Sequence, residues 1–374
     1  LIALVPRAAA AYRPRFLSQR ALIKLEQGQS EAARRDASEA AEAFAALMPD
    51  TPLEARARLR EGRALVAQGR PDAALAAFER GFLVYEENPV VVDYASLWPF
   101  FSLALEIAAQ QPARQAEMGD RIFRAAQLIR QSITAQTVSG AAALLGEGDG
   151  ARAQAVRAWR DANERYATLK ALQVLQLRDP LSQGDQARAL AAQVAQTQVE
   201  VARLREARDR IAPEYQSAIA SPVSLEQVQA VLGEGEAMVQ VLAGWPRSLL
   251  LIVDREGVSY TDLPVTDSQI SVLVGLLRRG IETDREGRVP GFQAGIASQL
   301  FTLLFGTRRD ELLSHERLIF STSGALQSLP LELLATAPPA GDWQAGDYTQ
   351  VPWLGAQRAV SYVPSPRNLV DIRA

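Results

Sequence analysis

The chain has 374 residues, 48% hydrophobic and 22% charged, with a net charge of −3 at pH 7. That composition belongs to globular domains with buried cores, and it excludes a domain-wide basic field for gripping nucleic acid. The chain has no cysteine and one histidine, His315, so disulfides, zinc–thiolate sites and a thiol nucleophile are excluded within these residues.

A Ser-His-Asp triad would have to use His315, and no G-x-S-x-G elbow precedes it. No metal or cofactor is expected. The most apolar stretch, residues 90–109, is interrupted by Asp93, Pro99 and Glu106, so no membrane span is predicted. The expected compartment is the cytoplasm. The periplasm or secretion is the alternative, because the sequence starts at Leu1 and not at Met.

Up to about Ala220 the chain is rich in Ala, Leu, Arg, Glu and Gln, the good helix formers, with Gly and Pro between helical stretches. Two segments align, "LSQRALIKLEQGQSEAARRDA" from Leu17 and "LREGRALVAQGRPDAALAAFERG" from Leu59. Gly62, Leu65, Gly69, Ala74 and Phe78 of the second segment resemble a tetratricopeptide repeat (TPR). Small residues at Gly62 and Ala74 let two antiparallel helices approach. Leu65 and Phe78 fill the space between them, and Gly69 makes the turn. The first segment departs from the motif, with Ala37 where the second has Phe78. The turn glycines Gly28 and Gly69 are 41 residues apart against the usual ~34. The longer spacing predicts longer helices, or a longer loop at "MPDTP" (48–52). "LWPFFSLALEIAAQ" and "MGDRIFRAAQLIRQSI" read as a third helix pair. A repeat cannot bury its apolar face alone, so neighbours stack and leave a surface that suits a protein or peptide partner.

After the loop "GEGDG" (146–150) a long helix runs to the turn "RDPLSQGD" (178–185). The next helix carries Leu190, Val194, Thr197, Val201, Leu204, Arg208 and Ile211 at alternating steps of four and three, a heptad seam broken by Thr197 and Arg208. Two long helices around one turn predict an antiparallel hairpin, with the seam closed inside the chain.

Near Pro222 the pattern changes to strands. "AMVQVLAG" (237–244), "SLLLIVD" (248–254) and "GVSYTDLP" (257–264) are β-prone, and "DREG" (254–257) is a hairpin signal. "SQISVLVGLLRRGIE" is an amphipathic helix with Ile270, Val274, Leu277 and Ile281 on one stripe, and "GFQAGIASQLFTLLFG" is a second. "RLIFSTS" (317–323) and "AVSYVPS" (359–365) are further strands. The latter leads into a helix with Ser365 as N-cap and Pro366 as its first residue. Alternating strands and helices predict an α/β layer with parallel strands.

Two segments here are similar to the CHAT family, caspase-like domains attached to TPR arrays. In "RLIFSTSGALQSLPLELLATAPP" (317–339), Ser323 and Gly324 stand at the family's turn. Leu326, Leu329, Pro330 and Leu333 match its leucine-rich run; Ser323 departs from the Asp common there. In "WLGAQRAVSYVPSPRNLVDIR" (353–373), Pro364 and Ser365 match its Pro-Ser turn. The resemblance implies an α-helical TPR-like array (1–145) and a helical hairpin (151–220). The N-terminal part of an α/β caspase-like domain (221–374) then follows. It also implies a cysteine peptidase parent whose catalytic His and Cys come after Ala374, so that no catalytic residue lies in this chain. Partners are then a protein or peptide on the repeats, and the chain's own missing C-terminal half on the open sheet edge, without which poor solubility is expected. The competing reading is a non-catalytic interaction scaffold with a pseudo-peptidase domain.

Several other features read as structure. His315 is expected at a surface helix end. "GEGDG" and "GEGE" lack the Lys-Ser/Thr of a phosphate loop. Ser321 and Ser323 sit beyond a strand end, where α/β folds place function, but Ser323 reads as a turn residue. Trp245, Trp343 and Trp353 read as core or edge packing.

Overall fold

A computed structural model describes residues 5–47, 51–87, 92–129, nine positions between 154 and 169, and residues 185–211, 222–282, 291–339 and 347–373. The chain divides into two compact units. One joins Leu1–Ala135 to Pro222–Ala374, and the other is Gln136–Ser221.

The first unit opens with six helices, α1 (Val5–Glu26), α2 (Ser30–Leu47), α3 (Pro52–Val66), α4 (Pro71–Glu87), α5 (Tyr94–Gln110) and α6 (Gln115–Ala126). Each packs on the next, and α1, α3 and α5 also touch in series, as the inner layer of a helical repeat does. The turns within the pairs α1–α2 and α3–α4 need left-handed backbone. Gly28 and Gly69 have φ of +73° and +66°, a conformation that only glycine adopts without strain. Asp93 caps α5 by accepting from the Ser96 N–H at 2.9 Å.

Five strands follow: β1 (Glu236–Leu242), β2 (Ser248–Val253), β3 (Val258–Leu263), β4 (Arg317–Thr322) and β5 (Ala359–Tyr362), in sheet order β3-β2-β1-β4-β5. The expectation of parallel strands holds for one half only. β1, β4 and β5 are parallel, whereas β1–β2 and β2–β3 are antiparallel. Loop length is the cause. A few residues join β1 to β2 and β2 to β3, which permits only antiparallel pairing, while the long excursions before β4 and β5 permit crossovers.

Both faces of the sheet are covered. Val239, Val241, Leu250, Ile252, Leu318 and Phe320 point into a core with α9 (Asp267–Arg279) and α10 (Ala294–Phe305). Ile270, Val274 and Leu277 are the buried stripe of α9, while Ile281 lies past its end and is 41% exposed, because the helix stops at Arg279. The other face turns Met238, Leu242, Leu249, Leu251 and Ile319 into the core that also holds Phe78, Phe82, Phe100 and Phe123 of the repeats. Array and sheet therefore share one apolar interior. Two short helices, α8 (Leu225–Val231) and α13 (Pro366–Arg373), complete that layer, with α11 (Arg309–Ser314) and α12 (Leu354–Gln357) flanking β4 and β5.

In the second unit, α7 (Asp185–Ile211) runs beside the described positions near residue 160. The Arg208 guanidinium lies 4.1 Å from the Trp159 ring centre, and Arg165 pairs with Glu200 at 3.0 Å. The first contact rises along the chain as the second falls, which makes the pair antiparallel. Val194 and Arg208 of the heptad are buried, and Ile211 at the helix end is 41% exposed. "GEGDG", most of "RDPLSQGD", part of "MPDTP" and Trp343 lie outside the described residues.

Candidate functional site

Parallel strands leave their carboxyl ends as a shared edge, and α/β folds bind ligands there. In this chain β1 and β4 end side by side, with Gln240 opposite Ser321 and Val241 opposite Thr322. An open cleft of about 440 Å³, counting the part open to solvent, lies at this edge. Its walls are Gln240 and Leu242 of β1, the Ser321–Ser323 end of β4, the Pro364–Pro366 entry to α13, and Gln127 and Ile129 from the end of the repeats. Both segments that carry the caspase-like resemblance meet at this place.

The walls are held by defined bonds. Ser323 acts as a clasp: its hydroxyl accepts from the Ala243 N–H at 2.9 Å and faces the Val241 carbonyl at 3.4 Å, joining β4 to the end of β1. Gly324 follows at φ +63°, with Asp267 Oδ1 3.0 Å from where a side chain would begin. Ser365 is 2% exposed; its oxygen accepts from the Asn368 N–H at 3.3 Å and donates to Asn368 Oδ1 at 2.7 Å, closing the start of α13. Gln127 binds the Val223 backbone twice, accepting from its N–H at 2.9 Å and donating to its carbonyl at 3.0 Å.

The leucine-rich run lies under this edge in two short 3-10 turns, Gly324–Ser328 and Leu331–Leu333. Leu326 and Leu329 are buried and Pro330 is exposed. Leu333 is half-buried, and Leu331 and Leu334 take the adjoining core positions. The three-residue period of these turns, in place of 3.6, shifts which leucines face inward.

In the repeats, Leu65, Ala74 and Phe78 are buried and Gly62 lies against the Phe78 ring, where an added Cβ would stand 2.8 Å from Cε1. On the inner layer, Arg63 of α3 pairs with Glu26 of α1 at 2.6 Å. Arg60 reaches the Ser18 hydroxyl and the Gln19 side chain, and no carboxylate pairs with it among the described residues. Burial, then Arg56 close by, pushes the Arg60 pKa down.

Two ionisable clusters lie elsewhere. Glu236 pairs with Arg373 and with Arg317, the latter at 3.1 Å, and accepts from the Gly233 N–H at 2.8 Å. The Arg373 bond is the main cause of a carboxyl pKa lowered to about 2. His315 is not a surface residue as expected. Its side chain is 12% exposed, with Nε2 3.8 Å from Asp254 Oδ2, because the strand that follows tucks it against the β2–β3 hairpin. Trp353 packs against Phe292 and Tyr348, whereas Trp245 is 69% exposed. Among the described residues no three His, Asp or Glu side chains converge as a metal cage requires.

Gln240 is the site residue that sequence reasoning missed. The signal was present in "AMVQVLAG", where residues 238, 240 and 242 share a face and the middle one is polar between Met and Leu.

Residues 11–87 match the tetratricopeptide repeat family. The match lies within the helical array, over α1 to α4, and no caspase-like family is matched. No curated protein matches the chain. The chain is thus a TPR-type helical array followed by a mixed five-stranded sheet. Repeats of this kind are commonly protein-interaction modules. No helix among the described residues is long and apolar enough to cross a membrane.

Proposed function

We infer that this chain is a partner-binding scaffold in which the repeats hold a protein or peptide against the inner layer of α1, α3 and α5. The observation that carries this reading is Arg60. Among the described residues it is a cation on that layer with neutral partners only, beside Arg56, in an array where nearby cations such as Arg63 and Arg124 have carboxylates. A charge left without its counter-ion on a partner-facing layer suits an acidic group brought by the partner. The test compares Arg60→Glu with Arg80→Glu on α4, by native mass spectrometry of tagged full-length chain isolated from its source cells. The same companion protein should remain with wild type and Arg80→Glu and be lost with Arg60→Glu. Retention by all three would refute the inner layer as the binding surface.

The caspase-like reading of residues 221–374 belongs to the same proposal, with functional divisions at 1–145, 151–220 and 221–374. Its support is that Ser323–Gly324 and Pro364–Ser365, the turns that resemble the CHAT family, stand together at the carboxyl edge of the parallel strands. Residues 1–374 carry no cysteine, so peptidase chemistry would need a thiol from outside these residues. Denaturing mass spectrometry of source-derived material tests this. A thiol-bearing segment, continuous with this chain or co-purifying with it, supports a peptidase parent, and its absence leaves the non-catalytic scaffold.

A further inference from the structure

The cleft at the ends of β1 and β4 contains a polar group that the fold does not use. Gln240 is 4% exposed, and its side-chain oxygen is buried with no hydrogen-bond partner among the described residues. It interrupts the row Met238–Leu242, where an apolar side chain would complete the core at no polar cost. The hydroxyl of Ser321 stands at the paired position on β4, on the same face and also in the cleft wall.

The chemistry of the walls selects the ligand. Among the described residues no charged side chain lines the cleft, so a carboxylate, phosphate or ammonium would be desolvated there without a counter-charge from them. The start of α13 does not attract an anion either. Pro366 has no N–H, and the Asn368 N–H is already taken by Ser365. Gln127, Ser323 and Ser365 are spent on bonds within the fold, and Gln327 is exposed and donates to the Thr322 carbonyl. The buried carboxamide of Gln240 and hydroxyl of Ser321 together call for a neutral group that both donates and accepts. Another carboxamide does both, and pairs with Gln240 whichever way its amide is turned.

We propose that this cleft binds a neutral primary carboxamide, seated in a two-point pair on Gln240 with Ser321 as the third partner. The group is the side chain of a glutamine or asparagine, borne by a peptide or by the free amino acid. The inference is independent of the partner assigned to the repeats.

The test uses the full ¹⁵N-labelled chain and three probes: N-acetyl-glutamine N-methylamide, free glutamine, and N-acetyl-norleucine N-methylamide. The Gln240 side-chain NH₂ and Ser321 amide signals should shift saturably with the peptide-borne amide and not with the norleucine compound. Free glutamine binding as tightly would assign the group to the amino acid; free glutamine binding tenfold or more weakly would assign it to a peptide. Gln240→Met should weaken the amide probes at least tenfold while keeping the rest of the spectrum, and Ser321→Ala should weaken them less. Absence of a saturable shift with either amide, equal shifts with norleucine, or unchanged binding in Gln240→Met would each overturn the assignment.

Discussion

Gly62 and Phe78 allow the packing logic of the repeats to be tested by a double-mutant cycle. An alanine at 62 would put its Cβ 2.8 Å from Phe78 Cε1 and 2.9 Å from Cδ1 and Cζ. The ring has no room to retreat. Phe78 is fully buried, with Phe100 edge-on at 5.7 Å and Phe82 at 6.3 Å. Gly62→Ala gains about 1 kcal/mol of helix propensity and incurs about 1–3 kcal/mol of overpacking, so a net loss of up to about 2 kcal/mol is expected. Phe78→Leu should cost about 1–2 kcal/mol, less than the ~3–5 kcal/mol of a cut to alanine. In the double variant the leucine leaves space for the new methyl and the helix gain remains, so the combined loss should fall short of the sum by at least about 1 kcal/mol. Urea unfolding, with amide exchange of α3 and α4 to localise the effect, reads all three. If Gly62→Ala is stabilising, or if the two losses add within about 0.5 kcal/mol, close helix approach is not what holds this repeat.

Gln240→Met removes a buried amide without a partner and completes the apolar row. It should raise stability by about 1 kcal/mol, seen as a higher thermal midpoint, and a fall would mean that Gln240 is satisfied. Glu236, with its pKa lowered from 4.5 to about 2, contributes stability that is complete above about pH 4.5 and drains as pH falls toward 2. The linkage ceiling is about 3 kcal/mol, reduced by the part-exposed Arg373 and Arg317, and Glu236→Gln should flatten the acid limb of a stability-against-pH curve. Gly244→Ala would drive a Cβ into the Tyr94 ring, so it should lower the melting temperature and speed amide exchange in both α5 and β2. An effect confined to the sheet would argue against a shared core.

Local rules were enough where one residue type answers one geometric need. Gly69 was legible as a turn because φ of +66° suits only glycine, and Ser365 as a cap because its oxygen meets the Asn368 N–H. Strands β2 and β4 were legible as apolar runs of strand length. What stayed hidden depends on residues far apart in the chain. The mixed order of the sheet follows from which strands become neighbours. The exchange of Leu333 for Leu331 and Leu334 follows from a 3-10 turn that no composition signal marks. His315 looked like a helix-end surface residue because Asp254 lies on a hairpin 61 positions earlier. Gln240 was readable as an alternation fault, but only the fold shows that no partner reaches it.

The join between repeats and sheet explains why the cleft sits where it does. Tyr94 begins α5, lies against Gly244 just past β1, and donates to the Arg247 carbonyl at 2.7 Å. Gly119 of α6 lies against Val258 and Tyr260 of β3, and the Tyr260 hydroxyl donates to the Gln115 carbonyl at 2.8 Å. These contacts need residues without side chains at 119 and 244, so the two modules meet backbone to ring, as closely as helices within a repeat. Gln127 and Ile129, one turn beyond, then reach the carboxyl edge of the sheet and form one wall of the cleft. A cleft with one wall from each module keeps its shape only while α6 stays seated on β3. Any force on the inner layer of the array that tilts α6 changes the distance from Ile129 to Gln240. The seats of Tyr94 on Gly244 and of Gly119 on Tyr260 thus set the spacing of the two walls.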